Sequence, residues 1–296
     1  MAESRYQAFA AAAETRSLTK AAEKLGYTQS GVSHLIDSLE EELGLRLLLR
    51  AKSGTELTAA GEELLPYVRR LLAAAEDVKS KAGDIRGLNT GSVRIGVFSS
   101  VSIQWLPELL RGFAARYPGI RTAIINDTYA VVEDALLNNR VDCAFVPLPS
   151  RPEFQTAFLA SDKLMVLLPA GDPLAKRKSL ELREVAARPF IVPAEGTNYD
   201  IGKLFRREKT QPNVRFDVSD DYAAAAMVQK GLGYTILPEL MVLPFPGIRA
   251  VPIRNSERAI GIAKNASRCP APAVNAFVDF TLASIAGKKH PDAVEP

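Results

Sequence analysis

Thr28, Gln29, Ser30, Ser33, His34 and Asp37 fall close together, and from Gln29 onward their spacing places them on one face of a helix near its start. Amides, hydroxyls and an imidazole on short side chains suit the donors and acceptors that base edges present in a DNA major groove. A merely solvated helix face would use the same residue types, so the flanking elements must decide between the two readings. Ser99, Ser100, Thr128, Thr197 and Asn198 form a second group of interest. Each follows an apolar run at a point where a helix begins and leaves backbone N–H groups without partners. Hydroxyls beside helix N-termini favour a small carboxylate or similar anion, although Asp220 and Asp221 add opposing charge and plain helix capping explains any one of these residues alone.

The first group needs a helical corner to present it. Ser17 is placed to cap one helix, in which Leu18, Ala21, Ala22 and Leu25 share a side, and Gly26-Tyr27 turns the chain. Thr28 is placed to cap the next, whose Val32, Ile36, Leu39 and Leu43 form one apolar stripe opposite the polar face. Tyr6, Phe9, Ala10 and Ala13 predict an earlier helix over residues 4–14 that packs beneath both. Downstream, LLLR and ELT flank Ala51-Lys52-Ser53-Gly54 and predict a wing hairpin carrying Arg50 and Lys52 towards the phosphate backbone or a neighbouring minor groove. Composition gives no help, because residues 1–58 hold seven Lys/Arg against eight Asp/Glu. Affinity for DNA must therefore come from where the charges sit, and salt should weaken it visibly.

From Ser17 through Arg50, followed by Leu57-Thr58-Ala59-Ala60-Gly61, the chain resembles the amino-terminal module of the LysR-type bacterial transcriptional regulators in order and spacing. Three positions depart from that pattern. Gly31 replaces a better helix former at a cost of about 1 kcal/mol, Glu56 stands where a basic residue is frequent, and Leu49 replaces a commonly charged position.

After Thr58, Leu64, Val68, Leu71, Ala75, Val78, Ala82 and Ile85 step by four and three in turn, which predicts a coiled-coil seam for dimerisation through a long linker helix bent at Pro66. Gly83 to Gly91 reads as a hinge. From Ser92 onward apolar strands alternate with helical segments, predicting parallel βαβ units in two successive lobes, with chain crossings near residues 150–163 and 263–269. The expected class is α/β, with an N-terminal winged helix-turn-helix over 1–58, a linker helix and hinge over 59–90, and a two-lobed effector-binding domain over 91–296. Within that domain, lobe I covers about 91–162 and 268–290, and lobe II about 163–267. GLGYTILPE and LMVLLPAGDPLA are similar to the periplasmic-binding-protein-like effector domain of the same family, and LLNNRVD follows its pattern with Asn139 where glycine is common. The resemblance implies an interlobe cleft lined by Ser100, Thr128 and Thr197, with Pro147, Val218 and Ser219 as further wall. It also implies double-stranded DNA as partner, a homodimer or homotetramer, and contact with RNA polymerase.

The rest of the composition bounds this reading. With 296 residues, 47% apolar and 24% charged, the chain can bury several cores, and no basic leader or long apolar run points to export or membrane insertion. A cytoplasmic protein is expected. Cys143 and Cys269 lie far apart, and two histidines leave almost no material for metal sites or triads, so no metal or other cofactor is expected. Nucleophile elbows, phosphate-binding loops and paired catalytic histidines are absent, which argues against an enzyme. A cytoplasmic two-lobed small-molecule-binding protein without a transcriptional role is the alternative, but it leaves residues 1–87 unexplained.

Overall fold

Two hydroxyl caps fix the helical corner. Ser17 accepts a hydrogen bond from the Lys20 N–H and Thr28 from the Gly31 N–H, so helices start at Leu18 and Gln29. The computed structural model describes residues 2–51, 54–85, 91–193, 195–242, 245–268 and 270–286. It divides into two units, residues 1–88 with 138–140, and residues 89–137 with 141–296.

In the first unit, α1 (Ala2–Thr15), α2 (Leu18–Leu25) and α3 (Gln29–Leu43) enclose Ala8, Phe9, Ala12, Ala21, Ala22, Val32, Ile36 and Leu39. Leu43, expected in the same stripe, is 37% exposed. Gly44 ends α3 with φ 65°, and the chain then turns so that Leu47 fills the core instead. The wing is an antiparallel hairpin of β1 (Leu48–Ala51) and β2 (Gly54–Leu57). Lys52 and Ser53 lie outside the described residues.

Helix α4 (Ala59–Ile85) begins where the Thr58 hydroxyl accepts from the Gly61 N–H at 2.9 Å and continues through Pro66. Gly61 is dictated by proximity, since a Cβ there would stand 2.1 Å from the Leu47 carbonyl oxygen. Leu65 and Val68 are buried in the unit's own core, with Leu64 and Leu72 packed against it. The front of the heptad stripe is thus used within the chain, whereas Leu71 is 49% and Val78 70% exposed. The expected hinge lies largely outside the described residues, although 83–85 still belong to α4.

The second unit follows as β3 (Gly91–Val97), α5 (Ser99–Gln104), α6 (Leu106–Arg116), β4 (Ile120–Asn126), α7 (Tyr129–Leu137), β5 (Cys143–Leu148), β6 (Phe154–Pro169), α8 (Arg183–Ala186), β7 (Pro189–Val192), α9 (Glu195–Arg207), β8 (Asn213–Asp217), α10 (Asp221–Gln229), β9 (Thr235–Pro238), β10 (Ile248–Asn265) and α11 (Pro272–Ala286). One sheet has the order β4-β3-β5-β10-β6-β9, and β7 pairs with β8 in parallel. The expectation of parallel sheets holds for β4-β3-β5 and β7-β8 but not for the sheet as a whole. Strands β6 and β10 are long enough to run through both lobes, and they pair antiparallel with each other, β10 also with β5 and β6 with β9. Their mutual register shifts between Pro252 and Glu257, which places the return crossing ahead of the expected 263–269. Cores lie on both faces: Phe113 and Phe277 anchor the α6 and α11 side of lobe I and Val132 and Leu136 the α7 side. In lobe II, Leu204 and Phe205 of α9 oppose Ala224 and Val228 of α10 across the strands. Asn139 takes φ 54°, so asparagine does supply the left-handed residue after α7.

Candidate reading helix and interlobe cleft

Helix α3 presents its polar face where the cap puts it. Thr28, Gln29, Ser30 and His34 are exposed and Ser33 is half-buried, its hydroxyl 3.3 Å from the Asp37 carboxylate. The Thr28 hydroxyl serves first as the cap, accepting from Gly31 at 3.1 Å and lying 3.1 Å from the Ser30 hydroxyl. A Cβ at position 31 would meet that hydroxyl at 3.2 Å, so the glycine gives up helix propensity but leaves the cap room. Arg50 sits on β1 of the wing, its side chain outside the described set, as Lys52 is altogether.

The acidic run at the far end of α3 is largely occupied. Glu40 is buried and accepts from the backbone N–H groups of Leu47 and Leu48 at 2.7 and 3.0 Å, with Arg46 at 2.8 Å on its other oxygen. Glu42 pairs with Arg5, Glu14 with Lys24 at 2.7 Å, and Glu3 with Lys79 at 2.9 Å. Four of the eight acids in residues 1–58 are therefore engaged in holding α1 to α2, α3 and α4, and α3 to the wing entry. Sequence reasoning missed Glu40; a carboxylate in the helical row of Ile36 and Leu39 was the available signal.

In the second unit a cleft of about 560 Å³ opens between lobe I and α9 of lobe II. Its walls include Thr128, Tyr129, Pro147, Tyr199 and Arg206. The two tyrosine rings meet edge to face with centroids 5.7 Å apart. Glu133 accepts from Ser150 at 2.7 Å and from Arg151 at 3.1 Å, and Asp134 holds the same guanidinium at 2.8 Å. Arg206, by contrast, has no carboxylate partner among the described residues. Tyr199, Gly202 and Arg206 follow one another at i, i+3 and i+7 along α9, a spacing from which the sequence could have yielded this wall.

Behind the cleft lies a buried polar cluster centred on Arg258 of β10, 8% exposed. Its Nε and one terminal nitrogen donate to the same Asp162 oxygen at 2.8 and 2.6 Å. The Ser100 hydroxyl accepts from it at 2.6 Å, Asp200 of α9 at 3.2 Å, and the Tyr129 hydroxyl closes on the same guanidinium. Tyr129 in turn donates to Asp200 at 2.6 Å, and burial pushes its phenol up, keeping the proton in place. The Leu240 N–H at 3.1 Å satisfies the other Asp162 oxygen.

The five expected effector residues therefore separate. Thr128 lines the cleft; Ser100 faces Arg258; Ser99 is exposed on α5 and accepts from Ser102 through its carbonyl. Thr197 and Asn198 fall in the first turn of α9, with side chains outside the described residues. Pro147 does form wall, whereas Val218 packs on the α10 side of lobe II and Asp220 caps α10.

A winged helix-turn-helix followed by a two-lobed unit with a cleft between its lobes is the architecture of a regulator that binds DNA and a small molecule. Residues 4–62 match the model of the bacterial regulatory helix-turn-helix protein of the lysR family, and residues 86–286 match the LysR substrate binding domain. The chain belongs to the LysR family of transcriptional regulators, with a DNA-binding helix-turn-helix domain and an effector-binding domain. It is 34% identical over 279 residues to the probable HTH-type transcriptional regulator LrrA of Synechococcus elongatus, covering 92% of this chain and 94% of that one. A second relative, the HTH-type regulator YvbU of Bacillus subtilis, is 31% identical across 80% of this chain and 82% of its own. Among solved structures, full-length CbnR complexed with its target DNA superposes with TM-score 0.67 at 24% identity over 96% of this chain and all of the other. A full-length OxyR variant from Pseudomonas aeruginosa gives TM-score 0.71 at 22% identity over 95% of this chain and 97% of its own. Among the described residues no helix is long and apolar enough to cross a membrane.

Proposed function

We propose that this regulator reads its operator with Gln29, Ser30, Ser33 and His34 of α3, while Arg50 and Lys52 of the wing reach the phosphate backbone, and that a small organic anion in the interlobe cleft controls it. Arg206 carries the second part of the reading. It stands at the cleft without a carboxylate partner among the described residues, beside an aromatic wall suited to a flat or ring-shaped body, while the other lining guanidinium is neutralised by Glu133 and Asp134. A carboxylate fits this arrangement best. The active species is a cytoplasmic homodimer or homotetramer without enzymatic activity, dimerised through the part of the α4 stripe that Leu71, Ala75 and Val78 leave free of the core. Two reading helices then enter successive major grooves about 34 Å apart, and the bound assembly meets RNA polymerase.

The test is thermal unfolding of the full-length chain against a panel of mono- and dicarboxylates with matched amides and amines. A carboxylate present at about 100 times its Kd should stabilise the chain by about 2.7 kcal/mol, and Arg206→Gln should remove most of that gain. Stabilisation only by the amides or amines, or hits indifferent to Arg206→Gln, would refute the anion assignment.

A further inference from the structure

Tyr129 belongs to two structures at once. Its ring forms cleft wall beside Thr128 and Tyr199, and its hydroxyl is a member of the Arg258 cluster. The bonds of that cluster differ in what they join. Arg258 and Asp162 both sit on the long strands where the chain crosses between lobes, adjacent across the β10–β6 ladder. Relative rotation of the lobes leaves that pair intact, so it acts as a fixed post. Ser100 and Tyr129 ride on α5 and α7 of lobe I, whereas Asp200 rides on α9 of lobe II, next to the cleft residue Tyr199. The bonds that lobe separation must break are therefore Tyr129 to Asp200 and Arg258 to Asp200.

We propose that Tyr129, Asp200 and Arg258 form an interlobe latch that holds α9 against lobe I, and that an occupant displacing the Tyr129 ring in the cleft releases it. This rests on the cleft being the effector site, and it adds the device by which occupancy changes lobe geometry. An occupant that prefers one of two arrangements shifts their populations, and a side chain shared between wall and latch supplies that preference through direct contact. Tyr129 is thus a positioning residue rather than only a ligand contact.

Hydrogen–deuterium exchange on the full-length chain, without ligand or DNA, tests the latch separately from the choice of effector. Asp200→Asn and Tyr129→Phe should each speed exchange in peptides spanning 195–207 by about tenfold or more, leaving β3 and β5 unchanged, and the double variant should match the stronger single one. For the occupant, Thr128→Cys on a Cys269→Ser background, reacted with N-phenylmaleimide, places an aromatic group in the cleft. That adduct should accelerate the same peptides when Tyr129 is present and add nothing in Tyr129→Phe. Unchanged exchange in α9, additive effects in the double variant, equal acceleration throughout the unit, or an adduct effect that survives Tyr129→Phe would each overturn the proposal. Failure of the carboxylate screen would leave all of these rates where they are, so the two readings fail distinguishably.

Discussion

Asp142 shows how a buried carboxylate can serve the fold rather than a ligand. It accepts from the Arg94 backbone N–H at 2.9 Å and from the Arg94 guanidinium at 3.0 and 2.6 Å, with Arg268 at 2.8 Å. Burial pushes its carboxyl up, but the hydrogen bonds and charge of Arg94, helped by Arg268, outweigh this and hold it below the usual carboxylate range. A depressed folded-state value stabilises the chain above the unfolded value of about 4, and that contribution disappears as pH falls through the folded value. Asp142→Asn should therefore lower the melting temperature at pH 7, and the gap from the natural chain should narrow as pH falls below about 4; a gap constant from pH 7 to 3 would contradict the assignment. Ser100 illustrates what sequence alone conveyed at this scale. Its position after the first strand was legible, but its partner lies 158 residues away in a strand where nothing marks Arg258 as buried. Isolated charges in strands usually face solvent, so the cluster became visible only when the lobes were assembled.

Among the elements, the caps and helical periods of the first unit were readable because each depends on residues within a few positions of one another. Ser17, Thr28 and Thr58 all cap where expected. The two long strands were less readable. Charged and proline residues such as Asp162, Lys163, Pro252 and Arg258 interrupt their apolar runs, because they mark where the chain leaves one core for the other. Helix α4 combines both situations, since its heptad pattern is continuous while its burial is not. Val68 is enclosed by its own unit, whereas Leu71 and Val78 remain exposed. If α4 dimerises the chain as proposed, replacing Leu71 and Val78 together by Glu should leave monomers at micromolar concentration without unfolding the first unit. Sedimentation equilibrium with a circular dichroism melt measures both; an unchanged association state would place the dimer contact elsewhere.

For the whole molecule, net charge and local charge tell different stories. Residues 1–58 are slightly acidic in count, but Glu3, Glu14, Glu40 and Glu42 are engaged with Lys79, Lys24, Arg46 and Arg5. None of these four acids belongs to the polar face of α3, where Asp37 is the acid present and accepts from the Ser33 hydroxyl. With those cations engaged as well, DNA binding should rely more on base contacts than on phosphates, so its salt dependence should be visible but shallow. The direct measurement is an electrophoretic shift of the full-length chain on its own promoter region, against unrelated DNA of equal length, with the natural chain and the Gln29→Ala, Ser33→Ala double variant. The natural chain should prefer the promoter by at least about a hundredfold, and the variant should lose that preference while melting at the natural temperature. Preference retained by the variant, or no preference by the natural chain even in low salt, would contradict α3 as the element that reads DNA.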